Sequence, residues 1–161
     1  MMGFNIGLNY KGWDFLANFY GTFGNDIFNL QKGRYSGASG QNVYAGTLAK
    51  AWNGEGTSND IPRLSYNDLN QNYTRVSSFF VEDGSYFRCK LLTLGYTFPE
   101  KWLGDFNLRL YFSAQNLFTF TKYSGIDPER PFYDGSVIET GIDKAKYPTP
   151  KTFLFGVDFK F

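Results

Sequence analysis

The chain has 161 residues, enough for one ordinary domain, and its formal net charge of +1 with no basic stripe argues against a nucleic-acid binder. With no histidine and a single cysteine, Cys89, it has no disulfide framework, no conventional zinc site and no Cys–His or Ser–His nucleophile pair, and no cofactor is expected. The outlier is aromatic content: 18 Phe, 12 Tyr and 3 Trp make up 20% of the residues. Aromatic side chains favour strands, and outer-membrane barrels carry them in girdles at both interfaces. No run of about 18 apolar residues occurs, which excludes a transmembrane helix. No signal peptide is recognisable in residues 1–10, so an exported chain of this kind is expected to be a fragment of a longer one.

In chain order, residues 3–10 alternate, with Phe4, Ile6, Leu8 and Tyr10 on one face and Asn5, Gly7 and Asn9 on the other. Side chains alternate across a strand with period two, so this is a strand with one apolar wall. Lys11-Gly12 supplies a tight turn into a second strand over 13–24. There Trp13, Phe15, Ala17, Phe19 and Phe23 point outward and Asp14, Asn18, Tyr20 and Thr22 inward. Placing Lys or Arg on a lipid face near the bilayer midplane costs about 2–4 kcal/mol, so the charged parity belongs to the lumen.

Periodicity then collapses over 25–84, a Gly-, Asn- and Ser-rich stretch with one modest helical signal around Asn42–Ala51. A third strand covers 85–98, with Leu92, Leu94, Tyr96 and Phe98 on one face. Arg88 and Lys90 fall on the same parity, which requires that end of the strand to project beyond the hydrocarbon layer. After a short turn at 99–105, a fourth strand over 106–122 turns Phe106, Leu108, Leu110, Phe112, Ala114, Phe118 and Phe120 outward. Arg109, Ser113 and Gln115 point inward and are candidates for lining a substrate route, although such residues more often simply bond to water or to other protein inside the lumen. A second irregular stretch, 123–150, leads into a final strand over 151–161. Its Phe153, Phe155, Val157, Phe159 and Phe161 form an apolar row opposite Thr152, Gly156, Asp158 and Lys160.

The connections alternate between short (11–12, 99–105) and long (25–84, 123–150), as in antiparallel outer-membrane barrels with short periplasmic turns and long extracellular loops. The reading is therefore all-β: an antiparallel transmembrane β-barrel segment of about five strands. Five strands do not close a barrel, since the smallest have eight. The aromatic-ended final strand is expected to act as an assembly signal, read by strand addition in the barrel-assembly machinery.

Three stretches, Phe79–Pro99, Leu108–Glu129 and Gly141–Asp143 followed by Tyr147–Phe153 and Phe161, resemble the SusC/RagA type of TonB-linked outer-membrane proteins, as does Ile61-Pro-Arg-Leu64 with Asp68 and Asn70. The resemblance implies a 22-stranded barrel, of which this chain would supply the last five strands. It also implies a lumenal plug and a TonB-contacting segment, neither within these residues, together with a SusD-like lipoprotein lid. Such a receptor imports glycan oligosaccharides or peptides across the outer membrane of a Gram-negative bacterium and is not an enzyme. Trp52, Arg63, Tyr66 and Tyr73 in the long loop are candidates for contacts to ligand or lid. Asp127, Glu129, Asp134 and Asp143 carry oxygen ligands suited to calcium but lack regular spacing, and turn formation explains them better. Cys89 reads as a small strand residue rather than a redox group. The competing classes are a structural or adhesive barrel segment without transport activity and a soluble lipocalin-like binder.

Overall fold

The computed structural model describes residues 1–35, 40, 42–104, 106–129 and 140–161. The chain divides into two compact units. One comprises Met1–Asn25, Gly84–Tyr123 and Pro148–Phe161; the other comprises Asp26–Asp83 and Ser124–Tyr147.

The first unit is a wall of five strands: β1 (Met2–Tyr10), β2 (Trp13–Thr22), β5 (Tyr86–Thr97), β6 (Asn107–Thr121) and β8 (Thr152–Lys160). Their order is β1-β2-β5-β6-β8 and every pairing is antiparallel, with β1 and β8 as the outer strands. The hairpin turn is Lys11-Gly12, both at positive φ, the geometry whose twist matches the flanking strands. The turn between β5 and β6 contains a single helical turn, α3 (Glu100–Leu103).

The wall's apolar face carries two aromatic belts. One links Phe4, Phe19, Phe87, Phe118 and Phe120 through neighbouring ring contacts, with Phe4 and Phe19 stacked at 4.8 Å. The other joins Trp13, Tyr96, Phe98 and Trp102, and on the far strands Phe106 with Phe159 and Phe161. Cys89 is fully buried between β2 and β6, opposite both Phe19 and Phe118. Those two rings approach to 6.4 Å across it.

The structure departs from simple alternation in β5. A β-bulge lies within β5: Phe19 pairs with Cys89 and Ala17 with Leu92, so Lys90 and Leu91 together oppose Asn18. The extra residue shifts the parity of the strand's first half. Arg88 and Lys90 therefore share the polar face: the Arg88 Nε–H donates to Thr119 Oγ1 at 2.8 Å, and Lys90 Nζ sits 5.4 Å over the Tyr20 ring. They need no projection beyond the membrane. Asn116 in β6, at φ +52°, is part of the same irregularity, and its Nδ2 donates to the Pro150 carbonyl at 3.0 Å.

The second unit shows that the supposed irregular loops have an architecture of their own. β3 (Asp26–Asn29) pairs antiparallel with β4 (Val81–Asp83) and parallel with β7 (Ile142–Asp143). Helix α1 (Leu30–Arg34) follows β3 directly, capped by the Asn29 side chain, which accepts the Gln31 N–H. Helix α2 (Ala45–Lys50) lies inside the range expected from sequence, and a 3₁₀ turn spans Ser78–Phe80. The core is small: Ile27, Tyr73 and Phe80 are buried, and Phe79 meets both Tyr73 and Phe80 edge-on.

Candidate functional site

On the polar face of the wall, three strands contribute to one ion cluster. Arg109 of β6 donates from Nε and Nη2 to both oxygens of Asp14 in β2, at 2.9 and 2.7 Å, and from Nη1 to Asp158 of β8 at 3.0 Å. Planar guanidinium geometry suits this bidentate arrangement. Asp14 and Arg109 are not on adjacent strands; β5 runs between them, and Gly95 pairs with Asp14 on one side and with Tyr111 on the other. A Cβ on Gly95 would come within 2.5 Å of Asp14 Oδ1 and 2.7 Å of Arg109 Nη2, so the salt bridge passes over glycine because only glycine leaves the space. Gly156 plays a related part: its missing side chain is replaced by the Tyr111 ring, which lies against it. The Arg109 guanidinium also stacks 4.9 Å from the Tyr111 ring. Further along, the Thr93 and Ser113 hydroxyls lie 3.1 Å apart. Ser113 and Gln115 pair with Leu154 and Thr152 of β8, on the same parity as Arg109. Arg109, Ser113 and Gln115 thus line one polar surface, with Arg109 already held by two carboxylates. Asp14 and Asp158 share in that cluster. Alternation turns both inward, but the diagonal reach across a glycine has no signature in periodicity.

Opposite them, Phe153, Phe155, Val157, Phe159 and Phe161 are all exposed along the apolar side of the outer strand β8. Leu154, the one apolar residue of the other parity, is also exposed.

In the second unit, Trp52, Arg63 and Tyr66 are exposed, whereas Tyr73 is 4% exposed. The Tyr73 hydroxyl donates to the Pro62 carbonyl at 2.7 Å, and its backbone N–H donates to Asp68 Oδ2. Burial, with the Asp68 charge adding to it, pushes the Tyr73 phenol up to about 12. Tyr73 is therefore a framework residue, contrary to its candidacy for ligand or lid contact. Asp68 is the organiser of this segment, accepting also from the Asn72 N–H at 2.9 Å and Thr74 Oγ1 at 3.2 Å. A second organiser is Glu82, which accepts from the Ser124 N–H (2.8 Å), the Ser124 hydroxyl (2.7 Å), Asn29 Nδ2 and Lys32 Nζ (both 3.1 Å). Burial would raise the Glu82 carboxyl, but these donors outweigh it and hold it below the usual range.

The acidic candidates do not converge. Asp127 and Asp143 are buried, and each closes a turn by accepting a backbone N–H two residues on, from Glu129 at 3.0 Å and Ala145 at 2.8 Å. Asp134 lies outside the described residues. Among the described residues no group of three or more His, Cys, Asp or Glu is placed to hold a metal ion.

No protein-family model matches the chain. Among curated proteins it is 38% identical over 170 residues to TonB-dependent receptor P3 of Formosa agariphila, the alignment covering 99% of this chain and 16% of the receptor. It is 29% identical over 174 residues to TonB-dependent receptor SusC of Bacteroides thetaiotaomicron, covering 100% of this chain and 15% of that protein. Among solved structures it superposes on a chain of the RagAB peptide transporter with a TM-score of 0.76 and 27% identity, over 96% of this chain and 16% of the other. The chain thus spans about a sixth of the length of the curated relatives it matches. Throughout that length it is a transmembrane β-barrel segment similar to TonB-dependent receptors of the SusC/RagA type, proteins of the Gram-negative outer membrane.

Proposed function

We propose that this chain forms part of the barrel of a TonB-dependent outer-membrane transporter that imports glycan oligosaccharides or peptides together with a SusD-like lipoprotein. The observation that carries the reading is the two-faced wall: one side a continuous aromatic and aliphatic surface, the other a hydrogen-bonded polar surface. Such a wall separates lipid from a wet lumen. Arg109, Ser113 and Gln115 line the lumen, and the exposed Trp52, Arg63 and Tyr66 lie where a long loop meets ligand or lid. Energy comes through TonB, engaged by a part of the receptor outside this chain.

The test is uptake by cells carrying the full-length receptor, offered fluorescent peptides and oligosaccharides with and without a functional TonB. TonB-dependent uptake of either class supports the reading; uptake unaffected by loss of TonB, or none of either class, overturns it. The apolar row Phe153–Phe161 on an outer strand also fits strand addition by the barrel-assembly machinery. Deleting Phe161 in the full-length receptor is expected to lower the amount reaching the surface, and unchanged surface levels would remove that role.

A further inference from the structure

Of the 13 asparagines in the chain, Asn53 is the only one followed by glycine. The backbone nitrogen of the next residue is placed by the covalent chain to attack an asparagine side chain. A following glycine favours that attack, because it has no Cβ to obstruct the approach. The attack also needs the nitrogen to be free of other bonds, and the second unit separates its asparagines on this point. After Asn59, the Asp60 N–H donates to Ser58 Oγ at 3.3 Å. After Asn67, the Asp68 N–H donates to the Ser65 carbonyl at 3.3 Å; after Asn70, the Gln71 N–H donates to the Asp68 carbonyl at 2.7 Å. After Asn72, the Tyr73 N–H donates to Asp68 Oδ2 at 3.0 Å.

Asn53 differs. Neither its side chain nor the Gly54 N–H has a hydrogen-bond partner among the described residues. Asn53 is exposed, and a Cβ built on Gly54 would meet nothing within 4 Å. Gly54 lies at φ +134°, a conformation that side-chain-bearing residues rarely adopt. The bonds of this short loop fall on the groups around the reacting pair instead. The Asn53 N–H donates to Thr57 Oγ1 at 2.8 Å, and the Thr57 hydroxyl donates to the Gly54 carbonyl at 2.7 Å.

We propose that Asn53 is a site of spontaneous deamidation. The Gly54 nitrogen attacks Asn53 Cγ and forms an N–Cγ bond. The Cγ–Nδ2 bond breaks, and the Gly54 proton leaves with the side-chain nitrogen as ammonia. Water then opens the cyclic imide at either carbonyl, leaving aspartate or isoaspartate at position 53; nothing is oxidised or reduced. Over residues 50–63, Lys50 and Arg63 balance Glu55 and Asp60, so the product takes this stretch from neutral to a net charge of −1. The new charge lies beside the exposed Trp52 and acts on whatever approaches that surface. Isoaspartate also adds a carbon to the main chain inside the loop that Thr57 closes. The assignment is independent of the import reading above.

The test is peptide mass mapping of the purified full-length receptor, held folded in detergent at neutral and mildly alkaline pH. A synthetic peptide of residues 51–63 is kept alongside. Trypsin releases the same segment after Lys50 and Arg63, and it carries Asn59 as an internal comparison. In the folded receptor, Asn53 is expected to convert at least tenfold faster than Asn59, Asn67, Asn70 or Asn72. Its rate should lie within tenfold of the free peptide's and rise in proportion to hydroxide, which removes the proton of the attacking nitrogen. Asn53→Gln, whose longer side chain must close a larger ring, should abolish the mass gain in this segment. A folded rate more than tenfold below the peptide's would show that the fold shields the site. Conversion of Asn59 or Asn67 as fast as Asn53 would show that the free Gly54 nitrogen does not select. Either result, or a mass gain that persists in Asn53→Gln, overturns the proposal.

Discussion

The wall and the loop unit are built by different means. In the wall, each strand's stability comes from ladder hydrogen bonds and from a face that satisfies lipid, so a residue's value depends on which side it points to. In the loop unit there is little apolar core, and single carboxylates reinforce a few short strands and helices. Asp68 gathers three donors from residues 72–74, and Glu82 gathers four from residues as far apart as Lys32 and Ser124. A regular surface tolerates substitution by rule, whereas a structure hung on a few polar hubs fails at those hubs.

The largest expected effect tests the rule in the wall. Leu92→Arg, at the middle of β5 on the apolar face, is expected to destabilise the full-length barrel by about 2–4 kcal/mol in lipid, measured by reversible denaturation. Thr93→Arg, one residue on and facing the lumen, should cost well below that. Equal costs would mean that the two faces are not lipid and lumen.

Next comes a hub. Asp68→Ala leaves the Asn72 and Tyr73 N–H groups and the Thr74 hydroxyl without their acceptor, at about 2–3 kcal/mol for a charged acceptor. Hydrogen exchange over residues 68–76 should accelerate while β2, β5 and β6 stay protected. Loss of protection in both would show that the two units do not unfold separately.

Glu82 adds a pH test. Its folded-state pKa lies below the ordinary 4.5, so its contribution is complete above that value and is lost as pH falls through the lower folded one. Protection around 29–32 and 124 should therefore fall on acidification, and Glu82→Gln should remove the dependence while weakening the unit at neutral pH.

The smallest effect is at Tyr73. Tyr73→Phe forfeits the bond to the Pro62 carbonyl, about 0.5–1.5 kcal/mol. The wild-type phenol, pushed from 10.0 to about 12, contributes stability that is intact below pH 10 and lost as pH rises through the folded value. The variant should lack that alkaline limb. An unchanged limb would assign it to another group.

The sequence by itself determined the wall. Period-two alternation in residues 3–10, 13–24, 106–122 and 151–161 is a local consequence of strand geometry, and the identities of Phe, Leu, Asp and Arg state which side meets lipid. The inward placement of Arg109 and Asp158 follows from the same alternation. What only the tertiary structure decided depends on relations between strands or between distant segments. The bulge at Lys90 is visible only against Asn18 of the neighbouring strand, and it turned an apparent violation at Arg88 into a contact on the polar face. The Asp14–Arg109 bridge needs Gly95 on a third strand to make room. The loop unit was illegible for the same reason. Its order comes from Glu82 meeting Ser124 and Asp68 folding back on Tyr73, contacts chosen by position in space, for which no periodicity exists along the chain.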